Sequence, residues 1–286
     1  MVKFFLPISE GIYRFWKQGI GMNNYIDGIL VSKGVWKNTN PERVKKAIEY
    51  VQEGGKKEVI GDCGAFTFFK TKELKFDVKE WQIRDLFNWY DNVGVDYGLT
   101  YDYIVPHGLS SLEFQNSYEK EYIYTLKNVA DMKKIYDSGN WKFKLIGALQ
   151  FQNWKTLEKA FEWANMHHYD FVSIGGLVMG LPSPSDTVYY FKVMEIADRL
   201  SKKYNMKVHL LGVGWKRLLY HITNLDLSIY SVDSSSSYTS LARSEEVTGN
   251  SYLKVFDYIK AQYTACHIRT NNPTFLTKYL NEEINN

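Results

Sequence analysis

The chain predicts an α/β fold, a (β/α)8 barrel in which eight parallel strands alternate with helices. Three observations predict it. Short β-branched or apolar runs alternate with helix-length segments along the chain. Runs such as Lys144-Leu145-Ile146-Gly147-Ala148-Leu149 are almost continuously apolar, as expected of strands covered on both faces by helices. The length, 286 residues, suits one barrel of roughly 250 residues with helices added at its end. The competing arrangement is an open doubly wound sheet. Closure depends on the first and last strands, where the pattern is weakest.

Strands are expected at 2–6, 26–32, 57–61, 95–101, 143–149, 170–174, 207–212 and 227–232. The first strong helix, 41–53, opens on Pro41, whose fixed φ suits a first helical turn, and stops at Gly54-Gly55. Helical segments follow at 79–91, 112–137, 154–167, 184–203 and 215–223, with terminal helices at 252–268 and 274–284. There is no internal repeat and no Pro/Ser/Gly-rich linker, so residues 1–286 are read as one domain with a helical end at 252–286.

Composition narrows the functional classes. Hydrophobic residues make up 45%, enough for a full core, and 20 Gly with 6 Pro exclude a collagen-like or Pro/Gly-rich disordered chain. A balance of 35 basic to 32 acidic residues, net +3, excludes a supercharged tail but leaves room for a local basic groove. Two cysteines, Cys63 and Cys266, exclude a disulfide framework and fit a reducing, cytoplasmic setting. The apolar stretch after Met1 is too short for a signal peptide, and no run approaches the ~18 apolar residues of a membrane span. Aromatic residues reach 16%, most of them for packing and some available to stack on a flat ligand.

In a barrel the chemistry sits at the C-terminal ends of the strands. Here those ends lead into Asp62-Cys63-Gly64-Ala65-Phe66, into Asp102, into Gln150, into Gly175-Gly176, into Gly212-Val213-Gly214 and into Asp233. A carboxylate after a strand is often the N-cap of the next helix. Three of them at corresponding ends, with a carboxamide, favour a shared pocket. Gly175-Gly176 reads either as a tight turn or as a place where backbone approaches a planar ligand. Phe66 alone reads as core, His167-His168 as a helix end, and Ser234 to Ser237 as a cap for a following helix. Cys63 reads as a small buried residue, since no general base accompanies it. Gly212-Val213-Gly214 lacks full dinucleotide or P-loop spacing.

Taken in order, these pieces resemble the tRNA-guanine transglycosylases. Asp62-Cys63-Gly64-Ala65-Phe66 resembles that family's Asp-Ser-Gly-Gly-Tyr/Phe segment. Asp102, Gln150, Ser173-Ile174-Gly175-Gly176-Leu177, Leu211-Gly212-Val213-Gly214 and Val232-Asp233-Ser234 follow in the family's order, over about residues 57 to 243. The resemblance implies a (β/α)8 barrel that exchanges guanine in a nucleic acid for a 7-deazaguanine such as 7-cyano-7-deazaguanine, without a cofactor. It implies Asp233 as the nucleophile at the sugar C1′ and Asp62 as general acid and base. It implies Asp102, Gln150, Gly175 and Gly176 as readers of the base, the glycines through their N–H groups, with Phe66 and Leu211 on its two faces. The base would have to leave its stack to reach them.

The chain departs from the tRNA enzymes in one respect. Their Cys-x-Cys-x-x-Cys plus His zinc site has only Cys266 and His267 to match it here, so no metal site of that kind is expected. The absence, and the Val232-Asp233-Ser234-Ser235-Ser236 segment, look more like the DpdA-type DNA-guanine transglycosylases of phages and bacteria. DNA is therefore the expected polymer ahead of tRNA, with Lys70, Lys216, Arg217 and Arg243 as candidate phosphate contacts beside Lys72 and Lys75. A homodimer or a partner protein fits what the resemblance implies. The alternatives are a zinc-free tRNA enzyme, a non-catalytic binding subunit, and an unrelated barrel hydrolase.

Overall fold

The computed structural model describes residues 2–17, 22–36, 39–65, 67, 77–106, 118–177, 184–213, 216–234 and 249–267. Eight parallel strands close into a barrel in chain order: β1 (Lys3–Ile8), β2 (Gly28–Ser32), β3 (Glu58–Asp62), β4 (Tyr97–Leu99), β5 (Lys144–Leu149), β6 (Phe171–Ile174), β7 (Lys207–Leu210) and β8 (Ser231–Asp233). The strand ends that carried the weakest pattern do pair, with Phe4 opposite Val232 and Phe5 opposite Asp233. The open-sheet alternative is thereby excluded. Helices follow each strand: α1 (Glu10–Trp16), α2 (Pro41–Gln52), α3 (Glu80–Val93), α4 (Glu119–Asp137), α5 (Trp154–Met166), α6 (Pro184–Tyr204), α7 (Lys216–Asn224) and α8 (Gly249–His267).

Pro41 stands at the first turn of α2, where the Asn40 side chain accepts from the Glu42 N–H at 2.9 Å. The seven-residue α1 and a 3-10 turn at Met22–Tyr25 were not expected from the sequence; both are too short to show a helical period. Strand β4 ends earlier than expected because the Thr100 hydroxyl, not a backbone carbonyl, accepts from the Ala148 N–H at 2.9 Å. Strand β8 starts later because 226–229 turns back on itself, with Asp226 at φ 54 and the Ile229 N–H donating to the Leu227 carbonyl at 2.8 Å. The helix expected over 112–137 is described from Glu119 onward, and the segment 274–284 lies outside the described residues.

Two buried clusters fill the molecule. Inside the barrel sit Phe5, Leu30, Ile60, Leu99, Ile146, Ala148 and Phe171, the inward residues of alternating strand positions. A larger cluster lies between strands and helices. At the N-terminal ends of the strands, Lys3 pairs with Glu58 at 2.8 Å and donates to the Tyr230 hydroxyl at 2.7 Å, while that hydroxyl donates to Glu58 at 2.8 Å. This charge-balanced set closes the barrel floor and leaves the opposite end for chemistry.

One contact seats α3 directly behind β3 and β4. The Tyr90 ring lies flat against Gly61 and Gly98, where an added Cβ would fall 2.5 Å from the ring in each case, and its hydroxyl donates to the Leu99 carbonyl at 2.8 Å. The fully buried ring occupies the volume two side chains would need. Gly98→Ala is expected to cost about 1–3 kcal/mol through overpacking, read as a lower urea midpoint with an unchanged slope.

Candidate functional site

The C-terminal end of the barrel gathers the acidic side chains singled out in the sequence. Asp62 is the last residue of β3 and pairs in register with Ser32 of β2. Asp102 follows β4, Gln150 follows β5, and Asp233 ends β8. Asp102, Gln150 and Asp233 are buried, whereas Asp62 keeps partial exposure. Burial pushes the Asp62 carboxyl above the usual carboxylate range. Hydrogen bonds from the Ser32 hydroxyl and the Gly64 amide pull it back, and the charge of Asp233 pushes it up again. Asp102 is pushed up to about 6, by burial first and then by the charge of Asp62. Asp62 thus feels the charge of Asp233, and Asp102 feels that of Asp62, which places Asp62 between the other two electrostatically.

Asp102 stands on irregular backbone that α4 holds in place. Tyr103 N–H donates to Thr125 Oγ1 at 2.9 Å, Asn128 Nδ2 donates to the Tyr101 carbonyl at 3.3 Å, and Tyr101 N–H meets the Met132 sulfur at 3.1 Å. Thr125, Asn128 and Met132 share one helix face at i, i+3 and i+7, so a short polar stripe satisfies the backbone that leaves β4. The carboxylate itself receives Gln150 Nε2 at 2.6 Å on Oδ2 and the Cys63 thiol at 3.6 Å on Oδ1. Gln150 is oriented by the Val105 N–H, a donor only, which bonds its Oε1 at 3.1 Å. Its amide hydrogens must face Asp102.

Glycines make room for this arrangement. A Cβ on Gly175 would fall 2.1 Å from Gln150 Nε2 and 3.3 Å from Asp102 Oδ2. The Gly175 N–H donates to the Leu149 carbonyl at 2.9 Å, so its expected service to a bound base is corrected: the sheet already uses that hydrogen. Gly176 follows at φ 79, a left-handed position that glycine adopts without strain. Leu211 is half-buried and packs on the inner barrel cluster at the same end.

Asp233 is anchored on one oxygen. His209 Nε2 lies 3.2 Å from Oδ1, and the Gly212 N–H donates to the same Oδ1 at 2.9 Å. Gly212 reaches it with φ 77. His209 is fully buried on β7, and its Nδ1 lies 2.8 Å from the Ser231 hydroxyl. Sequence reasoning passed over His209 and Ser231. The signal was there: His209 breaks an apolar strand and lies two residues before Leu211, on the same inward face.

The remaining sequence readings divide. Cys63 is buried as expected, and burial pushes its thiol well up, away from thiolate chemistry; its bond to Asp102 was not foreseen. Ser234 bonds the Tyr258 hydroxyl of α8 at 2.7 Å, and Ser235 to Ser237, read with it as a helix cap, lie outside the described residues. His267 pairs with Asp27 at 3.1 Å, and Cys266 is buried. Among the described residues no cluster of three His, Cys, Asp or Glu side chains is placed to hold a metal. Lys216 and Arg217 open α7, and their side chains lie outside the described residues, as do Phe66, Lys70, Lys72, Lys75 and Arg243. No described helix is long and apolar enough to cross a membrane.

Compared with protein-family models and with curated proteins, the chain matches none of them.

Taken as chemistry, this barrel end offers one carboxylate held on a single oxygen, one carboxyl raised above the usual range, and one buried carboxylate flanked by an amide. Asp102 ionises at a higher pH folded than unfolded, so at pH 7 its charge weighs against the folded state, and the penalty disappears as pH falls below both values. Asp102→Asn removes that charge and keeps an acceptor for Gln150. Its Tm at pH 7 is expected to equal or exceed that of the parent chain, and to lose any advantage near pH 4.

Proposed function

We propose that the chain is a base-exchange transglycosylase that replaces guanine in a nucleic acid, DNA ahead of tRNA, by a 7-deazaguanine. The observation that carries the reading is the gathering of Asp62, Asp102 and Asp233, from three separate strands, beside Gln150 and Gly175-Gly176 at one barrel end.

Each group has a task that its surroundings suit. Asp102 accepts from the N1–H and exocyclic amine of guanine, a donor pair adenine lacks. Gln150 gives one amide hydrogen to Asp102 and keeps a second for guanine O6. The Gly176 amide is the second donor to that oxygen, in place of Gly175. Leu211 covers one face of the ring, and Phe66 is the proposed platform for the other.

Asp233 attacks C1′ with its unanchored oxygen as the bond to guanine N9 breaks. Asp62 delivers a proton to the departing base. The sugar is then held as an ester of Asp233. The incoming 7-deazaguanine gives its N9 proton to Asp62 and attacks C1′, and the electron pair of the ester bond returns to Asp233. A carboxyl that burial raises above the ordinary carboxylate range suits an acid that must also act as a base. The target base enters this recess flipped from its stack. The basic residues Lys70, Lys216, Arg217 and Arg243 are the proposed phosphate contacts.

Incubation with labelled guanine and either duplex DNA or tRNA tests the reading. Label is expected in DNA, and none with Asp233→Asn. Label confined to tRNA would move the proposal to that polymer, and label in neither would remove it. The base reader predicts a pH dependence as well. Protonated Asp102 cannot accept from both guanine donors, so affinity for free guanine is expected to fall as pH drops through about 6. An ordinary carboxylate would hold affinity down to about 4. Calorimetric titration across that range checks it.

A further inference from the structure

We infer that His209 is a positioning residue that fixes Oδ1 of Asp233, leaves Oδ2 as the attacking oxygen, and hastens breakdown of the sugar–aspartate ester. The inference rests on the base-exchange reading and goes further into its second step.

Both described hydrogen bonds to the Asp233 carboxylate fall on Oδ1, from His209 at 3.2 Å and from Gly212 at 2.9 Å. An ionised carboxylate only accepts, so His209 Nε2 carries hydrogen, and in the neutral ring Nδ1 then accepts the Ser231 hydroxyl at 2.8 Å. Ser231 faces His209 in register across β7 and β8, and the ring packs edge-on against Phe5 with centroids 5.9 Å apart at 78°. The imidazole is thus held at one end by a hydroxyl and on its side by a ring, within a fully buried site. Two donors converging on one oxygen fix the plane of the carboxylate. Oδ2 is presented to the sugar.

The same donors act unequally on the two chemical steps. Before attack they stabilise the free carboxylate, which makes it a calmer nucleophile. Once Oδ2 is bonded to C1′, Oδ1 is an ester carbonyl carrying less charge. As the incoming N9 attacks and the C1′–Oδ2 bond breaks, negative charge returns to the carboxylate, and the bonds from His209 and Gly212 strengthen with it. Loss of the His209 donor therefore slows ester breakdown more than ester formation. Damage to packing alone would lower formation and leave the lifetime of the ester unchanged.

The test is a quenched time course of the DNA–protein adduct on denaturing gels, followed by a chase with free 7-deazaguanine. The variants are His209→Phe, which keeps a ring without donors, His209→Gln, which restores an amide donor, and Ser231→Ala. Removing the Ser231 hydroxyl frees the far end of the ring to tilt, while the carboxylate still keeps hydrogen on Nε2. In His209→Phe the adduct is expected to survive the chase about ten- to a hundredfold longer, as loss of one hydrogen bond to a charged group allows. Ser231→Ala should lengthen it less, and His209→Gln should recover part of the parent rate. Should His209→Phe fail to fold by its thermal melt, His209→Leu, which also lacks a donor, carries the same test. A parent-like adduct lifetime in the folded variant, with or without a lower adduct yield, overturns the inference while leaving base exchange standing. No Asp233-dependent adduct in the parent chain overturns base exchange itself, and this inference with it.

Discussion

Closure of the barrel is the constraint on which the rest depends. Once β1 pairs with β8, the inward residues at the C-terminal strand ends are forced toward a common axis, whatever their separation in sequence. Asp62 and Asp233 are 171 positions apart by their numbers in the chain, yet the charge of one alters the ionisation of the other. An open sheet of the same strands would leave them at different places along an edge. The interior cluster of Phe5, Leu30, Ile60, Leu99 and Ile146 supplies the apolar burial that holds the closure. Tyr90, pressed on Gly61 and Gly98, keeps α3 close behind the strand that ends in Asp62.

Gathering acids costs stability, and the molecule meets that cost with directed neutral donors. Ser32 and the Gly64 amide serve Asp62, Gln150 and Cys63 serve Asp102, and His209 with the Gly212 amide serves Asp233. Three of these donors are themselves held by a neighbouring strand end or turn. Val105 sets Gln150, Ser231 sets His209, and the left-handed turn at Gly212 aims its amide. Support is therefore two layers deep behind Asp102 and Asp233.

Much of the architecture was readable from the pattern. Continuous apolar runs marked β5 and its neighbours, and Pro41 and Gly54-Gly55 bracketed α2. The misses have local causes. Thr100 ends β4 early because its hydroxyl takes over a carbonyl's place, which no period can show. Asp226 turns the chain just where β-branched residues suggested strand. In the candidate site, the acids and Gln150 could be read because polar residues after apolar runs stand out. His209 and Ser231 could not be weighed the same way, since a pairing across two strands exists only in register. Gly175 misled in the other direction: a glycine pair suggested two free amides, but the first belongs to the sheet.

The two ends of the barrel treat charge differently, and the difference bears on what the upper end can bind. At the floor, Glu58 meets the ammonium of Lys3, a pairing that cancels charge. At the top, the bonds described to Asp62 and Asp102 come from hydroxyl, thiol and amide donors, which orient a carboxylate without cancelling it. Burial and mutual repulsion then hold these two acids above the usual carboxylate range, and the tension falls when a ligand brings donors or positive charge. Guanine brings adjacent N–H donors, and a sugar losing its base passes through an oxocarbenium-like state that is positively charged at the carbon Asp233 faces in the proposed reaction. Negative charge at Asp62 and Asp102, held by neutral donors and with no cationic partner among the described residues, is of more use to such a substrate than a balanced ion pair would be.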